Sequence, residues 1–318
     1  MFSIICPVHN KEKELKETLD SVFAQEFQDF QLVLIENASI DNSLEVIQSY
    51  MDERIHLIQA GKIGPGAARN LGVKAAKYPW IAFLDADDVW EKYHLQNLKK
   101  AIDSNPNKYF FSTAWEIWSS EEKRQAPIQA VFGKSEGFIP LSEVLNLNLL
   151  NSPPFWTSAI AVSKEAFDSV EGFPESLPAH GEDVSLWAKL LDKQQGIYFI
   201  NKPSAKYRID SESMTSKSFF SGQVYQVSFP GHIFSAVKKI IEEVKDPTLE
   251  LLWKKFANKY QFSAFSKALI AGTFQKEDVQ FLYPETDLKS RSVQILLRNS
   301  LLRGIFKSYL IKNQRFHG

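Results

Sequence analysis

Four short β-rich runs separated by three helix-length stretches fill the first hundred residues, and this alternation limits the chain to few folds. The runs are Phe2–Val8, Phe30–Ile35, Ile55–Gln59 and Trp80–Leu84; the helical stretches are Lys11–Phe23, Leu44–Met51 and Ala67–Lys77. Connections of that length make right-handed crossovers and give a largely parallel sheet. Ligand chemistry in such sheets gathers at the carboxyl ends of the strands. The unusual polar clusters of this chain fall at such ends: Glu36–Ser43 after the second run, Gly61–Gly66 after the third, and Asp85-Ala86-Asp87-Asp88 after the fourth.

Past Asp103 the pattern loosens. A helix is predicted over Glu91–Ile102, strands at Tyr109–Phe111 and Thr157–Val162, a helix over Gly181–Leu191, and two strands at Ile197–Ile200 and Ala205–Arg208. From about Phe219 the character is mostly helical, broken at Pro230-Gly231, Asp246-Pro247 and Tyr283-Pro284. The expected division is therefore 1–218, with halves of about 1–100 and 101–218, followed by a helical region at 219–318.

Charge and cysteine usage exclude several classes. The 37 basic and 38 acidic residues nearly cancel, so nothing asks for nucleic acid as a partner. Apolar residues at 44% suit a globular core. The single cysteine, Cys6, has no internal disulfide partner, which fits a reduced, cytoplasmic setting. The chain opens in a strand-like run without a basic leader. The longest uncharged stretch, Val144–Ser163, contains three Asn and Pro153-Pro154, which would strand backbone groups in lipid; a soluble protein is expected.

Asp85, Asp87 and Asp88 crowd three carboxylates into four positions. Such crowding is costly unless cations or donors compensate it, and a divalent metal with hard oxygen ligands is one compensation. The other reading is an acidic turn capping the next helix. In Gly64-Pro65-Gly66-Ala67-Ala68-Arg69-Asn70 the glycines let the backbone approach a ligand beside a helix N-terminus, or simply connect strand to helix. Asn37 beside Glu36 offers a donor and an acceptor to a nucleobase edge, whereas Asp41 and Ser43 read better as turn and cap residues. Glu182 and Asp183 open a helix, where the dipole favours acids and where one carboxylate can serve as a general base. Arg208 brings a cation toward phosphate oxygens. His180 lacks a partner at metal-ligand spacing.

Taken in order, Pro7-x-x-Asn10, Glu36–Asp41, Gly64–Asn70, Phe83–Asp88, Gly172-Phe173 and Glu182-Asp183 resemble the family 2 inverting glycosyltransferases of GT-A fold, across roughly residues 2 to 215. The resemblance implies a Rossmann-like α/β fold with a mixed, mostly parallel sheet flanked by helices. It also implies a nucleotide-sugar donor (a UDP-sugar foremost), Mn²⁺ or Mg²⁺, and hexosyl or N-acetylhexosaminyl transfer to a glycan, lipid-linked or polymer acceptor in cell-surface polysaccharide synthesis. Position by position, it places Pro7, Val8, Asn10, Glu36, Asn37, Gly64, Arg69, Asp85, Ala86 and Arg208 about the donor and Asp87 with Asp85 on the metal. Asp183 is the implied base, with Glu182 beside it shaping the acceptor site. One departure stands out: Glu36-Asn37-Ala38-Ser39 replaces the usual Asp-Asp-Gly-Ser, so an uncharged amide holds position 37.

Two rival classes predict different residues. A nucleotidyltransferase needs a glycine-rich loop with Arg after the first strand, where this chain has Pro7-Val8-His9-Asn10. A non-catalytic sugar-nucleotide or glycan-binding module has no need of the carboxylates that are retained here. The C-terminal tail is outside the resemblance: residues 288–318 hold seven Lys/Arg and no acid. Such a tail can touch anionic lipid, as a peripheral protein of the inner membrane face would. The alternative is a packed helical appendage. The apolar residues of Val293–Ile311 spread over most of the helical circumference, which favours burial against the domain or a second subunit of a homo-oligomer.

Overall fold

The computed structural model describes residues 1–118, 123–132, 136–175, 181–209, 231–272, 274 and 282–314. The chain divides into two compact units, Met1–Leu177 with Leu186–Ile209, and Pro178–Ser185 with Asp210–Gly318. The boundary expected near 218 lies outside the described residues.

The first unit is built on a ten-stranded sheet. Its strands are β1 (Phe2–Val8), β2 (Phe30–Asn37), β3 (Ile55–Ala60), β4 (Trp80–Phe83), β5 (Val89–Trp90), β6 (Phe110–Trp118), β7 (Lys123–Gln125), β8 (Gly137–Pro140), β9 (Ile160–Ser163) and β10 (Gly196–Arg208). They lie in the order β3-β2-β1-β4-β9-β6-β10-β5, with β7 on β6 and β8 on β10. The first four are parallel, as the crossovers require. β9 runs antiparallel between β4 and β6, and β6 and β10 are again parallel. β1, β2, β4, β6 and β10 therefore all end on one edge. Covered on both faces, β1 and β2 read as near-continuous apolar runs, and Ile4, Ile5, Leu32, Val33, Leu34 and Ile35 are fully buried.

Helices α1 (Leu15–Phe23), α2 (Ser43–Gln48), α3 (Pro65–Lys74), α4 (His94–Ser104), α5 (Pro127–Phe132), α6 (Leu141–Leu149), α7 (Lys164–Asp168) and α8 (Glu182–Gln194) connect the strands. α3 lies close on β1 and β2 because Gly72 has no side chain. A Cβ there would stand 2.6 Å from Ile5 Cγ2 and 2.7 Å from Ile35 Cδ1.

Several elements differ from their sequence prediction. α1 starts at Leu15 rather than Lys11, since residues 11–14 form turns whose first N–H groups bond across to Ser43 and Asp41. β2 runs on to Asn37, pairing with β3 through Glu36 and Asn37. The helix expected from Glu91 begins at His94, because Val89 and Trp90 are drawn into a two-residue strand against Lys206 and Ala205. Strand Tyr109–Phe111 extends to Trp118, and Thr157–Val162 splits into a 3-10 turn at Thr157–Ala159 followed by β9. The two strands expected at 197–200 and 205–208 are one strand, with its register broken around Pro203, which has no N–H to give a ladder.

Beneath the carboxyl edge, His94 is fully buried, stacked on Trp90 at 4.3 Å and hydrogen-bonded through Nδ1 to Ser204 Oγ at 2.9 Å. Burial drives its pKa down to about 3. The folded ring thus stays neutral where the unfolded chain takes up a proton, so stability falls as pH drops below about 6.5. Between pH 6.5 and 5 the loss should be about 2 kcal/mol. Denaturant unfolding of the wild type and His94→Gln at both pH values checks this, the variant losing most of the slope.

The second unit is helical: α9 (Gly231–Glu243), α10 (Pro247–Ala271), α11 (Leu288–Arg298) and α12 (Ser300–Gln314). Asp246 caps α10, accepting Thr248 N at 2.7 Å, with Pro247 at the first helical position. Buried Asn258 fixes the approach to α11, donating to Tyr283 O and Thr286 Oγ1 (both 2.9 Å) and accepting Tyr283 N at 3.0 Å. Phe265, Leu269, Leu282 and Leu297 form one buried cluster within it, with Val293, Leu296, Phe306 and Leu310 packed against them. The burial expected of the tail therefore holds for one side only, since Ile295, Leu301, Leu302, Ile305 and Tyr309 are exposed. No helix among the described residues is long and apolar enough to cross a membrane.

Candidate functional site

The loops at the carboxyl ends of β1 and β2 are tied to each other. Asn10 takes a left-handed conformation (φ 53°), tolerable for Asn, and accepts Ile40 N at 2.8 Å while its own N–H donates to Ser39 Oγ at 3.1 Å. Glu36 is buried and accepts Ser39 N at 2.6 Å. Asp41 accepts both Ser43 N (3.0 Å) and Glu12 N (3.1 Å), in the turn role its residue type suggests. Pro7 is half-buried, and Val8 points wholly into the core.

Asn37 is committed to the next loop. Its Oδ1 accepts Ile63 N at 2.9 Å and its Nδ2 donates to Ile63 O at 2.8 Å, just ahead of Gly64 and α3. His9 Nδ1 meets the Asn37 carbonyl at 2.7 Å. The amide that could read a base is thus spent on holding the glycine-bearing turn beside the β1 and β2 ends. Asn37→Ala strands both groups of Ile63, and the expected cost is about 1–3 kcal/mol. Chemical denaturation measures it; an unchanged midpoint would remove this bracing role.

The acidic turn after β4 spans from mid-sheet to β5 on the far edge, and each of its carboxylates has its own partner. Arg69 donates to Asp85 Oδ1 at 2.7 Å, and Lys11 to Asp87 Oδ2 at 2.5 Å. Burial acts against the Lys11 charge, but the Asp87 carboxylate outweighs it and the ammonium pKa is raised. Asp88 is buried and accepts Ser158 Oγ at 2.5 Å, Trp156 Nε1 at 3.3 Å and the Arg208 backbone N–H at 3.0 Å. Burial, then the charges of Asp85 and Asp87, push its carboxyl well above the usual range. Ser158 also accepts Asp85 N at 3.0 Å, and the Ala86 carbonyl accepts the Thr18 hydroxyl of α1 at 3.0 Å. The turn is therefore clamped from the 3-10 turn ahead of β9, from β10 and from α1 together.

Arg208, at the end of β10, donates through Nε to the Asp87 carbonyl at 2.9 Å and through Nη2 to Glu17 Oε2 at 2.5 Å, with its guanidinium 4.3 Å from the Trp118 ring centre. Arg69 is nearly buried over the Phe173 ring at 5.4 Å. Its neighbour Asn70 accepts Phe173 N at 2.9 Å and donates to Phe173 O at 2.8 Å. That approach requires Gly172, whose φ is +62° and whose Cβ, if present, would lie 2.7 Å from Asn70 Oδ1. The structure thus gathers Arg69, Asp85, Ala86, Asp87 and Arg208 at one place, with Asn10, Glu36 and Asn37 bracing the adjoining loops.

Glu182 and Asp183 belong to the second unit's Pro178–Ser185 segment. They open α8; Glu182 is buried, and half-buried Asp183 accepts Val184 N at 2.7 Å. His180 lies outside the described residues. Sequence reasoning missed Lys11, Ser158, Trp156 and the use made of Asp88. Only Asp88 carried a signal, as a third acid in a run whose charge has to be compensated. Among the described residues no group of three or more His, Cys, Asp or Glu is placed to hold a metal. The donor set of Asp85 and Asp87 nonetheless fits a hard divalent cation that draws its remaining oxygens from a bound phosphate and water.

The family model described as Glycosyl transferase family 2 matches residues 3–170. The Escherichia coli UDP-Glc:alpha-D-GlcNAc-diphosphoundecaprenol beta-1,3-glucosyltransferase WfgD is 29% identical over 230 residues, covering 69% of this chain and 81% of that protein. Among solved structures, S. aureus TarS 1–349 in complex with UDP-GlcNAc superposes with a TM-score of 0.71 at 18% identity, over 96% of this chain and 88% of the other. The Pyrobaculum calidifontis mannosyltransferase PcManGT with GDP-Man and Mn²⁺ gives 0.57 at 17% identity, over 98% and 84%. Both likenesses establish the mixed-sheet fold. The chain spans about a third of the length of several other curated relatives it matches.

Proposed function

Since the chain belongs to glycosyl transferase family 2, we propose that it moves a hexosyl or N-acetylhexosaminyl group from a nucleotide sugar, a UDP-sugar foremost, to a hydroxyl of a glycan, lipid-linked or polymer acceptor, with inversion at the anomeric carbon. The observation that carries this reading is the clamped acidic turn: Asp85 and Asp87 at the end of β4, ringed by Lys11, Arg69 and Arg208. A diphosphate arriving there meets cations already oriented by carboxylates, at strand ends where such sheets bind ligands. The bound sugar nucleotide named for TarS and the lipid diphosphate acceptor named for WfgD support the donor class and one of the acceptor classes. A role in cell-surface polymer synthesis on the cytoplasmic side belongs to the same reading.

Each residue has a task. Asp85 and Asp87 would hold Mn²⁺ or Mg²⁺, which when bound neutralises charge on the departing diphosphate. Lys11, paired with Asp87 beside the same turn, would offer its ammonium to a phosphate oxygen of the donor. Arg208 adds a second cation from β10. Asn37 shapes the nucleobase pocket through Ile63 and the glycine turn, while half-buried Pro7 and exposed Asn10 line the β1 end and Val8 backs it from the core. Asp183 takes the proton of the acceptor hydroxyl as it attacks, and Glu182 orients the acceptor.

A panel of nucleotide sugars, incubated with the full chain and scored for nucleoside diphosphate release, tests the reading. One UDP-sugar should be consumed, EDTA should stop the reaction and Mn²⁺ should restore it. Release of pyrophosphate from a nucleoside triphosphate and a sugar phosphate, with no nucleotide sugar consumed, would replace it with nucleotidyl transfer.

A further inference from the structure

The last two helices of the second unit are apolar on two sides. On α11, Val293, Leu296 and Leu297 pack in the buried cluster of that unit, and on α12 Phe306 and Leu310 do. Each helix has thereby used one face. Outside these packed faces stand Leu288 and Ile295 on α11 and Leu301, Ile305 and Tyr309 on α12, with Leu302 between the two sides of α12, all exposed, Leu288 at 80% and Leu301 at 74%. The spacings 288/295 and 301/305/309 keep each set on one side of its helix. Six large side chains in water at one end of a chain mark a surface that something covers.

Charge decides what can cover it. Residues 288–318 hold seven Lys/Arg and no acid. A second copy joined through this face by a two-fold axis would set those cations against themselves. An anionic bilayer does the reverse: the apolar side chains enter the boundary between headgroups and acyl chains while the cations meet lipid phosphate. Arg291 and Arg298 are exposed and follow Leu288 and Ile295 by three residues, which sets each beside its apolar neighbour on the helix surface. We propose that the outer faces of α11 and α12 dock in the plane of an anionic phospholipid surface. The docking is independent of the transfer reaction, so either can fail alone.

Vesicle flotation of the full chain tests it, using phosphatidylcholine alone and phosphatidylcholine mixed with phosphatidylglycerol. Binding is expected only to the anionic vesicles, with release in 1 M salt, where screening shortens to about 3 Å. The pairs Leu301→Glu/Ile305→Glu and Arg291→Glu/Arg298→Glu alter exposed positions. Each should lower the bound fraction roughly tenfold or more with the melting temperature retained. If the first pair unfolds the unit, the second alone decides. Absence of binding to anionic vesicles, or undiminished binding by the folded variants, would overturn the proposal. So would a sedimenting dimer that Leu301→Glu/Ile305→Glu dissociates in a chain that ignores vesicles, which assigns the face to a second copy.

Discussion

Asp87→Asn should lower transfer by about three orders of magnitude or more while the protein stays folded. The amide has nearly the same size and shape as the carboxylate; what the substitution removes is a charge. Its visible partner is Lys11 at 2.5 Å. If that ion pair were all Asp87 did, its loss would leave the largely enclosed Lys11 charge without its carboxylate, costing about 1–3 kcal/mol of stability and leaving turnover alone. If Asp87 instead holds a cation against the leaving diphosphate, the amide cannot replace it, and added Mn²⁺ should rescue little. Initial rates with saturating donor, together with a melting curve, separate the two outcomes.

Asp183→Asn should fall by roughly two to four orders of magnitude in turnover, with donor affinity nearly unchanged. The amide keeps the shape and can still accept Val184 N, the bond seen at 2.7 Å at the start of α8. It cannot accept the acceptor's proton. Glu182→Gln should act chiefly on acceptor KM. The competing account makes both acids partners of the α8 dipole, worth about 0.3–1 kcal/mol each to stability and nothing to rate. An active Asp183→Asn protein with a lowered melting temperature would leave that account standing.

The core of the fold was legible because β1 to β4 are short β-rich runs set apart by helix-length stretches, an alternation that topology rules convert into a parallel sheet. The carboxyl-edge position of the acidic turn followed from topology alone. What was hidden is what depends on distant pairing. β5 is two residues long and exists only because β10 offers it an edge. The bond from Arg208 to Asp88 joins residues 120 apart, and the Lys11–Asp87 pair joins residues 76 apart. No local pattern announces either. Asn37 shows the limit in a sharper form: its residue type permits reading a base or bracing a turn, and only the position of Ile63 reveals the second use. The broad apolar wheel of the tail pointed to burial all round, whereas the chain packs only one side of α11 and α12, because which half meets Phe265 and Leu269 depends on distant pairing.

The central claim is that the acidic turn receives a nucleoside diphosphate together with a divalent cation. Calorimetric titration of UDP into the full chain tests it most directly, comparing Mn²⁺ with EDTA for the wild type and for Asp87→Asn. Binding in Mn²⁺ should weaken at least about tenfold, or 1.4 kcal/mol, both on chelation and on substitution, without adding the two effects together. The same affinity in all four titrations would contradict the account and leave Asp85 and Asp87 as partners of Arg69 and Lys11 only.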